Sequence, residues 1–506
     1  MDRPINRPAI TVCVMLATIM QALDTTIANV ALPYMQGTLS ASQDQINWVL
    51  TSYIVAAAIM TPPTGWLAQR FGRTRLFMFA VAGFTIASVL CGLAQSLGQM
   101  VLFRLLQGVF GASLVPLSQA VLLDINPREK QGSAMAIWGV GVMVGPILGP
   151  TLGGWLTENY DWRWVFFINI PIGIVTLFGM ATFLPETRRG GTSRFDWFGF
   201  TMLSIGLASF QLMLDRGEQL DWFGSPEIVA ETVVAGLGFY LFIVQILTAE
   251  KPFVSRRLFK DRNFVLGLVF IFMLGVVLLA TLALLTPYLQ TMMGYPVLDA
   301  GMVLAPRGAG TMLAMFLAGR AVGRIDTRLI ILGGLLIGAH AMWTMTGFTP
   351  DISEATIMTS GFEQGFGLGF VFVALSTVTF STLTPELRTE ATGIYALCRN
   401  IGSSIGISVV MTLLQTNTQR NHAEIAGHVT PFNRLFQSGA AALLWNPATP
   451  AGRAALDGTI TQQALAIAYI DDFKLMMMVS LASIPLLLLF RRPARAAMSE
   501  HGAVLE

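Results

Sequence analysis

The sequence has few charged residues, few histidines and few cysteines for its length. Asp, Glu, Lys and Arg make up 12% of its 506 residues, whereas soluble domains carry about 25%. The net charge of +2 gives no indication of a nucleic-acid partner. The 4 histidines show no metal-ligand spacing, and the 3 cysteines lie in apolar runs. We therefore expect neither a metal site nor a disulfide.

Signatures of catalysis and nucleotide binding are also missing. No lysine follows a glycine, which excludes the phosphate-binding P-loop. The segment GSSIG at 402–406 fits a serine-hydrolase pattern, but it lies inside an apolar run and not between a strand and a helix. We expect that the chain is not an enzyme, that it needs no cofactor, and that an ion gradient or the substrate gradient supplies its energy.

Long apolar runs dominate the sequence. Hydrophobic residues make up 54% of the chain, and the mean hydropathy is +0.64. Apolar runs of about 18 residues or more indicate membrane-spanning helices. The first run is too long for a signal-peptide core, so we interpret it as a retained helix. The predicted spans are 10–32, 46–67, 76–94, 100–122, 132–156, 164–184, 197–214, 228–248, 264–286, 300–321, 329–348, 357–383, 390–414 and 473–490.

Lys and Arg are concentrated in alternate connections between these fourteen spans. The connections at 65–75 and 126–135 are basic, whereas those at 95–99 and 287–299 contain no Lys or Arg. Cytoplasmic loops of membrane proteins carry the excess of basic residues. This pattern predicts an even number of spans with both termini in the cytoplasm.

The sequence contains an internal repeat. Gly65 and Arg70 recur as Gly319 and Arg324, and the pair Gln-Gly of LQGVFG recurs in EQGFGLG. A repeat of six helices in parallel orientation is typical of secondary transporters. We predict an all-α membrane protein with these parts: a first half at 1–190, a two-helix insert at 191–262 and a second half at 263–506.

One connection, at 415–472, is much longer than the others. It is polar and rich in Ala, and the charge pattern places it outside the cytoplasm. Stretches such as TQQALAIAYI favour short surface helices within this periplasmic loop. The alternative is a flexible insert without a role.

The segment GVGVMVGPILGPTLGGW at 139–155 places glycine at every fourth residue of an apolar span. Small residues at this spacing allow two helices to approach closely in lipid, and proline bends a helix. One interpretation is ordinary tight packing. The other is a bendable, dry seam between the two halves. The residues concerned are Gly141, Gly145, Pro146, Gly149, Pro150, Gly153 and Gly154.

Several segments resemble motifs of the major facilitator superfamily, in its 14-helix drug:proton antiporter branch. Segment 139–155 resembles the antiporter motif, 65–75 the signature loop after helix 2, and LDTTIANVALP at 23–33 the helix-1 motif. Segment 212–228 is similar to Emr-type multidrug permeases, the inner-membrane subunits of tripartite pumps. The resemblance covers nearly the whole chain and implies the major facilitator fold.

The resemblance also implies a function. It points to proton-driven export of hydrophobic or amphipathic toxic compounds across the bacterial inner membrane, where the chain contacts lipid. It implies as partners a periplasmic adaptor and an outer-membrane channel that carry the substrate onward. A dedicated exporter of one metabolite or fatty acid is the alternative. The repeat, the glycines and the intramembrane acids argue against a channel or receptor.

The signature loop departs from its pattern at one position. Its matching residues are Gly65, Arg70, Gly72 and Arg73, but Gln69 stands where an acidic residue is usual. The resemblance implies that this acid contributes to an inner-side lock between charges and a helix. We expect that the lock is weaker here or that it uses another acid.

Ionisable groups inside spans are functional candidates, because each costs about 2.5–3.5 kcal/mol at the bilayer centre. Asp24 lies with other small polar residues on one helix face, so it could bind and release a proton in a cavity. A static ion pair between Asp24 and Arg104 is the alternative. The proton-coupling candidates are Asp24, Glu363, Arg104, Arg307 and Arg399. The substrate-cavity candidates are Gln21, Thr25, Asn29, Gln107, Gln364 and Asn400.

Overall fold

The computed structural model describes residues 6–127, 130–185, 195–250, 252–429, 445–446 and 449–490. These residues form helices and no strand, as expected for a backbone that must satisfy its own hydrogen bonds in lipid. The predicted all-α fold is therefore confirmed. The helices are α1 (Arg7–Thr38), α2 (Gln43–Ile46), α3 (Trp48–Met60), α4 (Thr64–Phe71), α5 (Arg73–Leu93), α6 (Leu97–Gly111), α7 (Leu114–Ile125), α8 (Gln131–Asn159), α9 (Trp164–Phe167), α10 (Asn169–Phe183), α11 (Trp197–Arg216), α12 (Pro226–Thr248), α13 (Arg256–Lys260), α14 (Arg262–Pro287), α15 (Val297–Ala321), α16 (Thr327–Met345), α17 (Glu354–Phe380), α18 (Pro385–Gly427) and α19 (Pro450–Ala482).

The chain is a multi-pass membrane protein. Among the described residues, 13 helical segments are long and apolar enough to cross a membrane. The predicted second span corresponds to α3, a shorter apolar helix that ends before Pro62 and Pro63. Proline ends the helix there because it lacks a backbone N–H. The number of crossings and the cytoplasmic position of the termini stay predictions.

Helix starts are set by polar residues that precede apolar runs. The Asn6 side chain accepts a hydrogen bond from the Ala9 backbone, Ser96 from Gln99 and Asp261 from Phe264. Each cap satisfies one of the backbone donors that the first helical turn leaves free. Except for the last one, the spans begin close to where the sequence predicts them.

The two insert helices, α11 and α12, pack against each other where Gly206 meets Gly238. Helix α11 also contacts α3 from the first half and α18 from the second half. The Thr51 hydroxyl donates to Asp215 at 2.9 Å, and the Ser408 hydroxyl donates to the Leu214 carbonyl at 3.2 Å. The insert therefore bridges both halves of the chain. The division into three domains stays a prediction, and its boundary at 190–191 lies outside the described residues.

Apolar packing joins the two halves at one end. The largest buried cluster takes residues from both halves, and within it the rings of Trp138 and Phe372 stack at 5.7 Å. Two smaller clusters each belong to one half, around Trp162 in the first and around Tyr288 in the second. Inter-half hydrogen bonds, such as that from Thr392 to the Pro116 carbonyl at 3.1 Å, lie toward the predicted cytoplasmic side. The halves are thus joined at that side and have separate cores at the other.

The prediction for residues 415–472 was wrong in one respect. Instead of a loop with short surface helices, the described part continues the two flanking helices. Helix α18 runs 43 residues to Gly427, and α19 begins at Pro450, well before the predicted span at 473. The two helices pack against each other, and His422 pairs with Asp457 at 2.9 Å between them. Residues 430–444 and 447–448 lie outside the described part.

Candidate functional site

A buried ion pair lies at the centre of the first half. Asp24 on α1 is 0% exposed and Arg104 on α6 is 1% exposed, and the Arg104 Nη1 atom donates to Asp24 Oδ2 at 2.7 Å. Gln107 and Asn169 donate to the other carboxylate oxygen at 2.7 and 3.1 Å. Each oxygen of this buried carboxylate therefore accepts at least one hydrogen bond, as a buried charge requires.

Small residues allow these helices to come together. Gly108 follows Gln107 on α6, and a side chain at this position would collide with the Tyr53 backbone of α3. The close approach lets the Arg104 Nε atom donate to the Val49 carbonyl of α3 at 3.1 Å. The Gln-Gly dipeptide of the internal repeat thus has a physical role in the first half. Gly108 allows α3 to approach α6, and Gln107 is hydrogen-bonded to both Asp24 and Arg104.

Aromatic rings and a second polar layer surround the pair. The Arg104 guanidinium lies 4.4 Å from the centroid of the Tyr53 ring and 5.6 Å from that of Phe166, within range for cation–π attraction. Asn169 also donates to Ser88 at 2.9 Å. The sequence analysis did not select Asn169, Tyr53 or Ser88. Asn169 could have been found, since it is an amide inside an apolar span.

The polar residues predicted on α1 do not share one environment. Gln21 is partly buried and donates to the Tyr53 hydroxyl at 3.2 Å. Thr25 bonds to the Ala22 carbonyl of its own helix at 2.9 Å, and Asn29 is exposed. The structure therefore brings Gln21, Asp24 and Gln107 into one network and leaves Asn29 at a surface.

The corresponding position of the second half has no ion pair. Gln364 on α17 is 0% exposed, and within the described part of the chain neither end of its amide has a hydrogen-bond partner. It lines a mostly apolar cavity among α14, α16, α17 and α19 that admits water-sized molecules over about 30 Å³. A buried amide needs partners, and this space can hold water.

The remaining candidates of the second half do not join Gln364. Arg307 on α15 is 8% exposed and donates to the Leu278 carbonyl at 2.8 Å, with no carboxylate partner among the described residues. Arg399 is partly buried on α18, and Asn400 is exposed. The structure therefore does not gather these residues into one polar site.

Glu363 occupies a different environment from the one expected for an interior proton carrier. Its side chain is 42% exposed and pairs with the exposed His340 of α16 at 3.0 Å. The exposed apolar side chains of Leu336 and Trp343 lie on the same helix as His340. No hydrogen bond of the described residues links Glu363 to Asp24, so its coupling role stays a prediction.

The glycine seam lies within the first half, so the expected seam between the two halves was misplaced. Side chains at Gly141, Gly145, Gly149 and Gly153 would each collide with α1. The Thr26 hydroxyl of α1 donates to the Gly145 carbonyl at 2.9 Å. Contacts from α8 to the second half come from other positions, such as Gly132 and Gly139. A side chain at Gly154 would meet open space, and the side chains of Pro146 and Pro150 lie outside the described residues.

The signature loop forms a charged cluster that holds the halves together. Gly72 has a φ of 89°, a conformation that favours glycine, and the bend lets Arg73 reach Asp124 at the end of α7. Arg388 of α18 binds the same carboxylate at 2.8 Å from the second half. The signature loop has Gln69 where an acidic residue is usual, and Asp124 of α7 is another acid that pairs with Arg73 of this loop. The Arg70 side chain, by contrast, is exposed.

Close backbone packing accompanies this cluster. At Gly65, a side chain would collide with the backbone of Glu390 at the start of α18. The Glu390 carboxylate accepts a hydrogen bond from the Ser255 backbone, which precedes α13. The loop, the insert and the second half therefore meet at one place on the predicted cytoplasmic side.

Replacing Asp124 with Asn should loosen this side. The change leaves Arg73 and Arg388 together without their shared anion, and each partly exposed pair is worth up to about 1 kcal/mol. We expect roughly tenfold faster maleimide labelling of a Thr392→Cys variant in a cysteine-free background. Asp161→Asn, which breaks an exposed pair with Arg163, is the control. Equal labelling rates in both variants would contradict this role for Asp124.

The helical fold and the buried charge network are those of a polytopic transporter, and the comparisons with known proteins agree. Residues 14–407 match the Major Facilitator Superfamily. The chain belongs to this superfamily of membrane transporters.

Among curated relatives, the chain is 37% identical to the fatty acid resistance protein FarB of Neisseria gonorrhoeae, over 97% of both chains. It is 39% identical to the multidrug export protein EmrB of Escherichia coli K12, over 84% of this chain and 83% of that protein. The expected resemblance to Emr-type permeases is confirmed.

Solved structures support the fold alone. The proton:xylose symporter XylE has a TM-score of 0.61 at 14% identity, covering 96% of this chain and 99% of that one. The human organic anion transporter MFSD10 has a TM-score of 0.60, also at 14% identity, covering 94% of this chain and 100% of that one.

Proposed function

We propose that this protein exports hydrophobic or amphipathic toxic compounds across the bacterial inner membrane in exchange for protons. The observation that carries the proposal is the buried network around Asp24. It places the carboxylate against a guanidinium and two amides, with no exposure to solvent. The relatives named as multidrug export proteins support the substrate class.

The network provides a means of coupling. A proton that binds Asp24 neutralises the carboxylate and weakens its bond to Arg104. Arg104 cannot itself deprotonate, so its charge must then find another partner or water. A rearrangement of α6 relative to α1 follows, because a buried unpaired guanidinium is costly. The proton and the substrate thereby favour different arrangements of the same helices, as antiport requires.

The clustered contacts at the predicted cytoplasmic side support the alternating part of this cycle. In this arrangement Asp124 joins the halves there, while their apolar cores are separate at the other side. A transporter must break this cluster to take substrate from the cytoplasm. No cofactor enters the proposal, since the proton gradient supplies the energy.

Drug-susceptibility profiling tests the substrate class. The chain is expressed in a host that lacks its own pumps, and growth is measured with amphipathic drugs and, separately, with long-chain fatty acids. We expect resistance to several unrelated drugs. Resistance to fatty acids alone would favour the second candidate, a dedicated fatty-acid exporter, which the similarity to FarB supports. Resistance to neither would contradict both.

We further propose that a periplasmic adaptor contacts an outer arm, formed by residues 415–427 of α18 and 450–472 of α19. At 1.5 Å per residue the second helix of this arm is about 34 Å long. The two helices pack against each other, and the Asn421 amide of α18 donates to the Ala464 carbonyl of α19 at 3.4 Å. The outer connection between Asp215 and Glu227 is a second candidate contact. An outer-membrane channel would then complete the path.

Replacing residues 420–460 with a Gly/Ser linker should separate the two activities. We expect transport by the purified permease in proteoliposomes to persist, because the change lies outside the helix core around Asp24. Drug resistance of intact two-membrane cells should fall to the level of a strain without the adaptor. Unchanged resistance together with unchanged adaptor pull-down would show that the arm is not the docking site.

A further inference from the structure

A second carboxylate is buried in the second half, in a setting opposite to that of Asp24. Asp472 on α19 is 1% exposed, and its Oδ2 atom has no hydrogen-bond partner among the described residues. It immediately precedes the last predicted span, at its outer end. The neighbouring Asp471 is exposed. Two adjacent aspartates therefore differ almost completely in their contact with solvent.

The surroundings of Asp472 are apolar. Its helix face includes Ala468, Tyr469 and Met476, each at most 2% exposed, and the adjacent Phe473 is also buried. The buried apolar cluster to which these neighbours belong also contains Leu284 and Leu285 from α14, Met342 and Met345 from α16, and Val410 and Leu414 from α18. No described Lys or Arg forms an ion pair with Asp472, in contrast to the Asp24–Arg104 pair.

The titratable groups near Asp472 are few. Tyr469 is one, on the same helix, and its ring lies 5.2 Å from that of Tyr288. The Tyr288 hydroxyl donates to the Thr349 carbonyl at 2.9 Å. On α19, Asp471 and Lys474 are exposed. An isolated charge in such a site is far more costly than a neutral carboxyl group.

A backbone irregularity lies beside this site. Residues Tyr288–Met292 form a π-helical turn that continues α14 after Pro287 and contacts α19. The Tyr469 hydroxyl lies near the Thr291 side chain of this turn. Short π-helical segments occur frequently at functional sites. The turn gives the helices around Asp472 a means of rearranging.

We propose that Asp472 is a second proton-binding residue of the transport cycle, neutral in this arrangement and ionised when the outer end of the second half opens to water. The inference rests on the proton-driven export proposed above. On uptake, an O–H bond forms between Asp472 and a proton from water. On release, that proton returns to water and a hydrated carboxylate remains. Asp24 thus binds and releases a proton in the first half, and Asp472 does so in the second half.

Proton release on substrate addition tests the inference in the full-length protein. We expect Asp472→Asn to lower the number of protons released per substrate about twofold, since one of two linked sites is lost. Asp471→Asn, the same change one residue away, should match the wild type. Infrared spectra should show a neutral-carboxyl band in the wild type and in Asp471→Asn that Asp472→Asn lacks.

The outcomes separate the inference from the proposed function. If the wild type and Asp472→Asn release the same number of protons per substrate, the inference is overturned but the proposed function is not. The same holds if Asp472→Asn retains the neutral-carboxyl infrared band. If the wild type releases no protons when substrate is added, both the proposed proton-driven export and the proton-binding role of Asp472 are overturned. Because Asn has the shape of the neutral acid, the Asp472→Asn variant should unfold at the wild-type temperature. A large loss of stability would show that the carboxyl group is structural.

Discussion

The Asp24→Asn variant is expected to bind substrate but to release at most about half as many protons as the wild type when substrate is added, because only Asp472 can still titrate. The amide cannot titrate, so the link between the proton and Arg104 is removed. The change also leaves Arg104 buried beside a neutral group, and breaking a buried pair costs about 3–5 kcal/mol. Substrate binding is measured by fluorescence and proton release with a pH-sensitive dye, both on the purified protein.

Two further variants separate titration from misfolding. Asp24→Glu keeps an ionisable group and should retain part of the proton release. Asp24→Asn combined with Arg104→Gln removes both charges, so it should recover stability without recovering proton release. Undiminished proton release from Asp24→Asn would refute the role of Asp24. Proton release that stays lowered in the double variant, although its stability is recovered, would support the role of Asp24.

The Gly145→Leu variant is expected to insert into the membrane and to lose transport. Its side chain would have to enter the backbone contact with Ala22 and displace the hydrogen bond from Thr26. Overpacking of this kind costs roughly 1–3 kcal/mol, which corresponds to at least about a fivefold change in any equilibrium that needs the close contact. Transport is measured in proteoliposomes at matched protein content.

Gly154→Leu is the matched control for the seam, because a side chain at Gly154 meets open space on the same helix. It should transport normally. If Gly145→Leu also transports normally at normal expression, the seam is ordinary packing that tolerates separation of α1 from α8. Equal loss in both variants would indicate that Leu disturbs α8 itself and not its contact with α1.

Most of the helices and the central ion pair could be predicted from the sequence. Apolar runs determine the spans, because lipid leaves the backbone few other structures. Asp24 and Arg104 stand out because charges inside spans are costly. The repeated Gln-Gly dipeptide indicated equivalent positions on α6 and α17. Both of its glutamines, Gln107 and Gln364, are buried.

Other features depend on helix orientation and tertiary contacts. Glu363 and Gln364 are adjacent, and successive helical residues point in directions about 100° apart. With Gln364 buried, Glu363 is directed toward the outside, where it meets His340. Similarly, the spacing of the glycines in α8 predicted close packing but could not identify α1 as the partner.

The extended helices α18 and α19 were missed for another reason. Their outer parts are polar, so hydropathy alone ends the spans early. The pair of His422 and Asp457, together with the hydrogen bond from Asn421 to the Ala464 carbonyl, allows the two helices to support each other beyond the apolar region. This antiparallel packing is a tertiary effect that a window of sequence does not contain.

The most direct test of proton-driven export is substrate accumulation by the purified protein in proteoliposomes under an imposed pH gradient. We expect substrate to accumulate against its own gradient when protons can flow in the opposite direction. Accumulation should stop when a protonophore collapses the gradient, and Asp24→Asn should show none. Accumulation that continues without a pH gradient, or that Asp24→Asn retains in full, would contradict the account.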